Sequence, residues 1–134
     1  MAASAIPAIK SSAYASSVER PFTVSAYGGL FEKAFQQHVA DIFTRETNIP
    51  VQVVSQSGDD AWVFGLVNAI KNGLAPVDLT ILKEVDLLRI KRMGDLLTDL
   101  DVTQLNNLGS LPSQYHFESS GALQAVGFLS LIHI

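Results

Sequence analysis

One stretch, residues 22–54, constrains the fold more than any other part of the sequence. It begins with a short strand-like run, 22–26, passes through a glycine turn at Gly28-Gly29, and ends in a second strand-like run, 51–54. Between the two runs, apolar residues recur at spacings of three and four, which predicts an amphipathic helix: Phe31, Phe35, Val39, Ile42 and Phe43. Asn48 ends this helix and Pro50 cannot continue it. Strand, helix and strand in this order form a βαβ unit with a right-handed crossover.

The apolar face of this helix is expected to pack on the sheet. The residues predicted to be largely buried are Phe31, Phe35, Val39 and Ile42, with Val24, Val53 and Ile81 at the centre of the sheet. Truncating one of these Phe residues to Ala would then cost about 3–5 kcal/mol.

The following segment repeats the α/β pattern. A polar turn at 55–60 leads into a second helix that Asp59 or Asp60 can cap and that Asn72-Gly73 ends. A mostly apolar run, 77–82, has the composition of a strand that is buried on both faces.

A third helix is predicted from Glu84 to Met93. Acidic residues stand in its first turn and basic residues in its last turns, and Gly94 provides a left-handed stop. Residues 105–120 lack periodicity and indicate loops, whereas 122–128 indicate a fourth strand. The predicted fold class is therefore α/β, with a parallel-type sheet flanked by helices.

Composition excludes several functional classes. The 134 residues are 48% hydrophobic and 16% charged, as expected for one globular domain with a core. The net charge of −4 argues against a nucleic-acid surface, which requires clustered Lys and Arg. The absence of cysteine removes disulfides, thiolate metal sites and cysteine nucleophiles.

The two ends of the chain differ in kind from the α/β region. Residues 1–21 are rich in Ala and Ser, and Ala13-Tyr14-Ala15 before Ser16 fits the small-x-small pattern of a signal-peptidase site. This segment is either the remnant of an export signal or a flexible arm, and residues before about Ser16 are expected to pack against nothing. Residues 129–134 match one reading frame of a transposon-end adapter used in sequencing libraries. On that interpretation the natural sequence stops near Phe128 and the chain is a fragment.

No catalytic, metal or cofactor site is predicted. His38, His116 and His133 lack metal-ligand spacing, and neither a nucleophile elbow nor a phosphate-binding loop with its lysine is present. The turn at residues 27–29 lacks the third glycine of a dinucleotide fingerprint.

Three loops, 26–29, 55–60 and 83–86, follow the predicted strands. In open α/β sheets, ligands sit at the carboxyl ends of the strands, where helices begin. Together these loops offer an aromatic ring, backbone amides, hydroxyls and carboxylates. The alternative interpretation is local: Gly28-Gly29 lets the backbone turn, and the acidic residues cap helices.

With these loops in place, the chain resembles the N-terminal lobe of a bacterial extracellular solute-binding protein, in the group that includes the spermidine/putrescine-binding proteins of ABC importers. The likeness covers residues 22–128 and is carried by TVSAYGG at 23–29, IFTRETNIPV at 42–51, AIKNGLAPVDL at 69–79, MGDLLTDLD at 93–101, Asn107-Leu108 and AVGF at 125–128.

The resemblance implies lobe one of a type II periplasmic-binding-protein-like fold whose second lobe is missing. Such a receptor is a periplasmic monomer that closes on a small solute and delivers it to a membrane permease. The ligand-facing positions implied are Tyr27, Gly28, Gly29, the turn Ser57-Gly58-Asp59, and Glu84 or Asp86. Polyamine receptors hold ammonium groups by aromatic walls and carboxylates. Gly28-Gly29 departs from their bulkier pattern, and exposed helix-start amides favour an anionic group instead.

Two alternatives remain beside a binding role without catalysis. The first is an enzyme on a flavodoxin-like sheet, and the second is the effector lobe of a transcription regulator. The latter needs a helix-turn-helix, which residues 1–21 are too short to contain. If the strands are parallel with right-handed crossovers, Tyr27, Ser57, Asp59 and Glu84 are expected to converge on one edge of the sheet.

Overall fold

The computed structural model describes residues 20–94, 96–119 and 121–127. The predicted signal remnant before Ser16 and the adapter-like tail at 129–134 both lie outside these residues. None of the described helices is long and apolar enough to cross a membrane. The described chain divides into two compact units: residues 20–56 with Val77–Thr80, and Ser57–Pro76 with residues 81–127.

The first unit is built on a parallel sheet of three strands. These are β1 (Phe22–Tyr27), β2 (Val51–Gln56) and β3 (Leu79–Thr80), in the order β2-β1-β3. In the register, Val24 lies opposite both Val53 and Leu79. The central strand is buried, with Val24 only 3% exposed, as the sequence predicts.

The connection between β1 and β2 is helical, as predicted, but it is not one α-helix. It runs as α1 (Leu30–Phe35), a π-helical segment (Gln36–Ala40) and α2 (Asp41–Thr47). Asn48 closes it in the left-handed conformation, with φ 58°, and its N–H donates to Thr44 O. An asparagine tolerates this conformation better than most residues, which confirms the predicted stop.

The predicted burial along this helical face is wrong. Phe31 and Val39 are 45% and 48% exposed, while Phe35 and Ile42 are half-buried. The fully buried residue is Ala40, in the π segment. Hydrogen bonds from i to i+5 add a residue to the turn, so a face extrapolated at 3.6 residues per turn does not continue through it. The half-exposed Phe rings remove less apolar area from water, and the expected cost of truncating them falls accordingly.

Two of the strand boundaries also differ from the prediction. β2 continues through Ser55 and Gln56, which the sequence places in a polar turn, because it pairs with β1 as far as Tyr27. β3 is only two residues long, and Leu79 is 49% exposed, so the prediction of a strand over 77–82 buried on both faces is wrong. Val53 and Ile81 are half-buried, and Ile81 lies just beyond β3.

A charged contact joins the start of β1 to the segment that leads into β3. The guanidinium of Arg20 donates to both oxygens of Asp78, at 2.8 and 2.7 Å, and Thr23 N donates to the same carboxylate at 2.8 Å. These donors hold the pKa of Asp78 below its usual value, with the Arg20 hydrogen bonds as the largest cause.

The second unit contains two helices whose ends the sequence predicts well. α3 (Asp60–Lys71) is capped by Asp59 and is followed by Gly73 at φ 76°. α4 runs from Glu84 to Met93, as predicted. Gly94 has the positive φ expected of a stop, 139°, but its ψ of −178° is extended rather than left-handed helical. The buried apolar residues on the two helices are Val63, Leu66, Val67, Leu87 and Ile90.

The remaining strands form an antiparallel hairpin, separate from the parallel sheet. β4 (His116–Ser119) pairs with β5 (Ala122–Val126), with an irregularity between Phe117 and Glu118. The strand predicted at 122–128 is therefore present over Ala122–Val126, although it belongs to this hairpin. The predicted loop over 114–120 is wrong for β4, whose pairing partner lies in β5.

Candidate functional site

The strand order places a topological switch point between β1 and β3. From β1 the chain crosses to β2 on one side, and it then passes to β3 on the other side of β1. Because the strands are parallel, their carboxyl ends at Tyr27, Gln56 and Thr80 lie at the same edge. In open α/β sheets this edge, at the switch point, is where ligands bind.

The glycine turn after β1 is explained by local geometry. Gly29 has φ 86° and ψ −134°, a conformation that residues with a side chain avoid. A Cβ on Gly28 would lie 2.6 Å from Ser55 Oγ, so a side chain at this position would force the Ser55 hydroxyl to move. The N–H of Gly28 donates to Gln56 O at 3.3 Å and is thus already engaged. The local interpretation of both glycines is supported.

Tyr27 provides the aromatic surface of this turn. Its ring is half-buried and meets Phe31 edge-on, with centroids 6.1 Å apart and an interplanar angle of 67°. Phe31 in turn stacks on Phe35 at 6.4 Å. An edge-to-face contact of this kind restricts the orientation of the ring.

Three polar side chains cross the sheet at the switch point. Ser25 Oγ donates to Thr80 Oγ1 at 2.7 Å, and Thr80 Oγ1 donates to Gln56 Oε1 at 3.2 Å. Ser25 is fully buried and Gln56 is 4% exposed. We call these three side chains the polar relay. It joins one residue from each strand, β1, β3 and β2.

Little in the sequence indicates the polar relay. Ser25 stands between Val24 and Ala26 in a strand that reads as buried, and a lone hydroxyl there is the one available signal. The sequence places Gln56 in a polar turn, because residues 55–60 form a polar run. Strand pairing overrides that local preference.

In the second unit, the turn that follows β2 is organised by Asp59. Its Oδ1 accepts from Ser57 Oγ at 2.7 Å and from Trp62 N at 3.4 Å, which caps α3. The Ser57 hydroxyl, followed by backbone N–H donors at the helix start, holds the pKa of Asp59 below its usual value. Asp59 is therefore a negative charge at neutral pH, on a side chain open to water.

A cluster of charged residues fixes the same turn from α4. Asp86 is 2% exposed, and its carboxylate lies 3.5 Å from Lys83 Nζ and 3.1 Å from Arg89 Nη1. Lys83 Nζ donates to Gly58 O at 2.7 Å, and Arg89 also donates to Asp60. We call Asp60, Lys83, Asp86 and Arg89 the ionic cluster. The sequence predicts Asp86 as a site residue but neither cation. It assigns Arg89 to ordinary helix charge patterning and gives Lys83 no role in the loop at 83–86.

The predicted site residues divide between the two units. Tyr27, Gly28 and Gly29 belong to the first unit, whereas Ser57, Gly58, Asp59, Glu84 and Asp86 belong to the second. Glu84 is exposed at the first residue of α4, in contrast to the buried Asp86. The convergence of these residues on one edge of the sheet stays a prediction.

Other features of the second unit are less specific. An apolar groove of about 190 Å³ runs along α3 and is lined by Ala61, Trp62, Gly65, Leu66, Ala69 and Pro76. His116 Nε2 is buried without a hydrogen-bond partner among the described residues. Within the same described part of the chain, no three His, Asp or Glu side chains come together as a metal site.

Comparison with known proteins identifies a fold neighbour. No protein-family model matches the sequence, and no curated protein matches it. The structure is similar to a crystal structure from Bordetella parapertussis, of a protein provisionally described as an extracellular solute-binding protein. The TM-score is 0.59 at 19% sequence identity, over 72% of this chain and 29% of the neighbour. The α/β fold, a parallel sheet flanked by helices, is thus shared with part of that protein, and this chain spans less than a third of its length.

Proposed function

We propose that this chain is part of the substrate-binding component of an ABC importer and captures a small solute. The observation that carries the proposal is the three-stranded parallel sheet in the order β2-β1-β3, whose polar strand ends lie at a switch point. The likeness in fold to an extracellular solute-binding protein supports the same role. Binding without catalysis fits a site that offers hydrogen bonds, an aromatic ring and charges.

The solute-facing groups in this proposal are those of the loops that follow the strands. Tyr27 supplies an aromatic wall, and the turn Ser57-Gly58-Asp59 supplies a hydroxyl and a carboxylate. Glu84 is the solute-facing acid after β3, because it is exposed, while Asp86 is buried against Lys83 and Arg89. Gly28 and Gly29 contribute backbone shape to the first loop.

We assign the solute to the cationic, polyamine-like class. The second and third loops carry four carboxylates, Asp59, Asp60, Glu84 and Asp86, against one cation, Lys83. Arg89 adds a second cation from within α4. The excess of negative charge attracts an ammonium group, and an aromatic face such as that of Tyr27 adds a cation–π contact. The excess of carboxylates favours a cation more than the backbone amides at the start of α3 favour an anion. Asp59, which caps that helix, already compensates the positive partial charge of those amides.

The location and partners follow from the same proposal. A receptor of this kind is exported to the periplasm, acts as a monomer and hands its solute to a membrane permease. The chain then forms one part of a larger receptor, in keeping with the 29% of the neighbour that it matches. A site formed by one part alone leaves most of the solute wet, so binding to this chain is expected to be weak.

Titration calorimetry tests the function. We expect spermidine and putrescine to bind with millimolar dissociation constants, and succinate to bind at least tenfold more weakly. Tyr27→Ala should weaken spermidine binding about tenfold through the lost cation–π contact, about 1.4 kcal/mol. Phe43→Ala is the matched control, because Phe43 is an exposed aromatic of the same unit outside the loops.

Two results would contradict the proposal. Preference for succinate over the amines would overturn the cationic class. If the Tyr27→Ala and Phe43→Ala variants bind spermidine equally well, the solute does not bind at the first loop.

The strand order β2-β1-β3 also begins the order of flavodoxin-like enzymes. This second candidate predicts that the purified chain retains a flavin or another nucleotide, with retention lost in competing phosphate. Absorbance of the purified chain between 300 and about 500 nm, before and after phosphate dialysis, distinguishes the two functions.

A further inference from the structure

We infer that Gln56 is a positioning residue that ties together the three backbone segments at the carboxyl edge of the parallel sheet. Its main-chain oxygen accepts from Gly28 N at 3.3 Å, in the turn after β1. Its side-chain oxygen accepts from Thr80 Oγ1 at 3.2 Å, at the last residue of β3. Its own peptide leads directly into Ser57, the first residue of the loop after β2. The link to solute recognition rests on the proposed function, whereas the link between the segments does not.

The direction of the hydrogen bonds fixes what the Gln56 side chain does. An amide oxygen can only accept, so Thr80 must spend its single hydroxyl proton on Gln56. The oxygen of Thr80 is then left to accept, and the Ser25 hydroxyl donates to it at 2.7 Å. Gln56 Oε1 thus accepts the second of two hydrogen bonds in a chain that starts at Ser25, in the middle of β1.

Packing alone does not explain a glutamine at this position. Gln56 is 4% exposed, and burying an amide costs free energy unless it is hydrogen-bonded. An aliphatic side chain would fill the same volume without that cost. The hydrogen bond from Thr80 offsets part of that cost, which an aliphatic residue would not incur.

The turn after β1 lies close enough to depend on this residue. A Cβ on Gly28 would lie 2.6 Å from Ser55 Oγ, and Gly28 N bonds to the next residue, Gln56. Any shift of the Gln56 backbone is therefore transmitted to the turn that follows Tyr27. A shape-conserving change at Gln56 should loosen the turn while the centre of β1 stays intact.

Amide hydrogen exchange, followed by NMR, tests the inference without a ligand. Gln56→Met keeps the length of the side chain but removes its strong acceptor. We expect the Gly28 amide to exchange at least tenfold faster than in the unsubstituted chain, with the amides of residues 24–26 changed less than twofold. Val54→Ala is the control, because it removes packing from the same strand without touching a hydrogen bond of the relay. It should leave the ratio of Gly28 to β1 exchange unchanged.

Combining Thr80→Val with Gln56→Met tests whether Gln56 acts on the turn through its hydrogen bond with Thr80. If Gln56 acts through Thr80, the double variant should exchange at Gly28 within twofold of Gln56→Met alone. An unchanged Gly28 rate in Gln56→Met, or a rise shared equally by all amides of β1, would overturn the positioning role.

Spermidine titration of the same variants separates this inference from the proposed function. With a wild-type chain that binds spermidine, Gln56→Met should weaken binding about tenfold and Val54→Ala less than twofold. Equal weakening by both variants would count against a positional effect. A wild-type chain that binds no amine refutes the proposed cationic class, and the exchange rates still decide the role of Gln56.

Discussion

The polar relay and the ionic cluster each hold separate backbone segments together. The polar relay does so by neutral hydrogen bonds, and the ionic cluster does so by charged contacts. In the parallel sheet, three neutral side chains, Ser25, Thr80 and Gln56, join the strands by directed hydrogen bonds. In the second unit, the buried Asp86 forms ion pairs with Lys83 and Arg89, and Lys83 Nζ also donates a hydrogen bond to Gly58 O. The neutral relay depends on the position of each proton and carries no charge. The ionic cluster depends on charge balance around one buried carboxylate, so the two should fail under different substitutions.

Removing the carboxylate of Asp86 should have the largest effect. Asp86→Asn leaves two cations without their shared partner, at a cost of about 3 kcal/mol in the free energy of unfolding. This is the lower end for a broken buried pair, because the Lys83 and Arg89 side chains are 33% and 40% exposed and can recover some water. Urea unfolding followed by fluorescence of Trp62, the single tryptophan, measures the change.

Glu84→Gln is the matched control for this change. It removes the same charge two residues earlier on α4, from an exposed side chain, and should stay within about 0.5 kcal/mol. Equal losses in both variants would show that helix charge in general, and not the ionic cluster, supports the second unit.

Within the polar relay, a substitution of Thr80 should lower the free energy of unfolding more than a substitution of Ser25. Thr80→Val removes a donor and an acceptor at once and disturbs both Ser25 and Gln56, at about 2 kcal/mol. Ser25→Ala leaves the bond from Thr80 to Gln56 intact and should cost about 1 kcal/mol. Thermal unfolding of both variants checks the order, and a larger loss for Ser25→Ala would contradict the central role assigned to Thr80.

The third prediction, with the smallest expected effect, tests whether the Arg20–Asp78 ion pair contributes to the stability of the first unit. The pKa of Asp78 is lowered by Arg20 and Thr23, so its contribution is present above the unfolded pKa near 4 and is lost as pH falls through the lower, folded pKa. Asp78→Asn should cost about 1 kcal/mol at pH 7, because water screens the pair. The difference between wild type and variant should shrink below pH 4 and vanish in stronger acid. A difference that stays constant down to pH 2 would assign the effect to hydrogen bonding without charge.

Sequence reasoning succeeded where the determinants are local. The ends of α4 follow from acidic residues in its first turn and from Gly94, and the start of α3 follows from the cap at Asp59. The β1 strand, its glycine turn and the helix end at Asn48 are also determined by residues that are adjacent in the sequence. The fold class follows from the order of these elements.

It failed where the determinants are distant. The length of β2 is set by β1, and the existence of β4 is set by β5, neither of which a local polar run reveals. In the candidate site, Gln56, Lys83 and Arg89 were missed for the same reason. Their roles depend on partners 24 to 29 residues away in the chain, such as Thr80, Gly58 and Asp60.

The π-helical segment at Gln36–Ala40 has a consequence for comparing lengths among related sequences. A hydrogen bond from i to i+5 encloses one residue more than a bond from i to i+4, so this turn holds a removable residue. A relative with one residue fewer between Phe35 and Asp41 could keep both α-helical ends and restore a continuous α-helix. A gap in an alignment is therefore structurally tolerable here. At Gly28, where the backbone passes close to Ser55, a gap would shift the turn out of place.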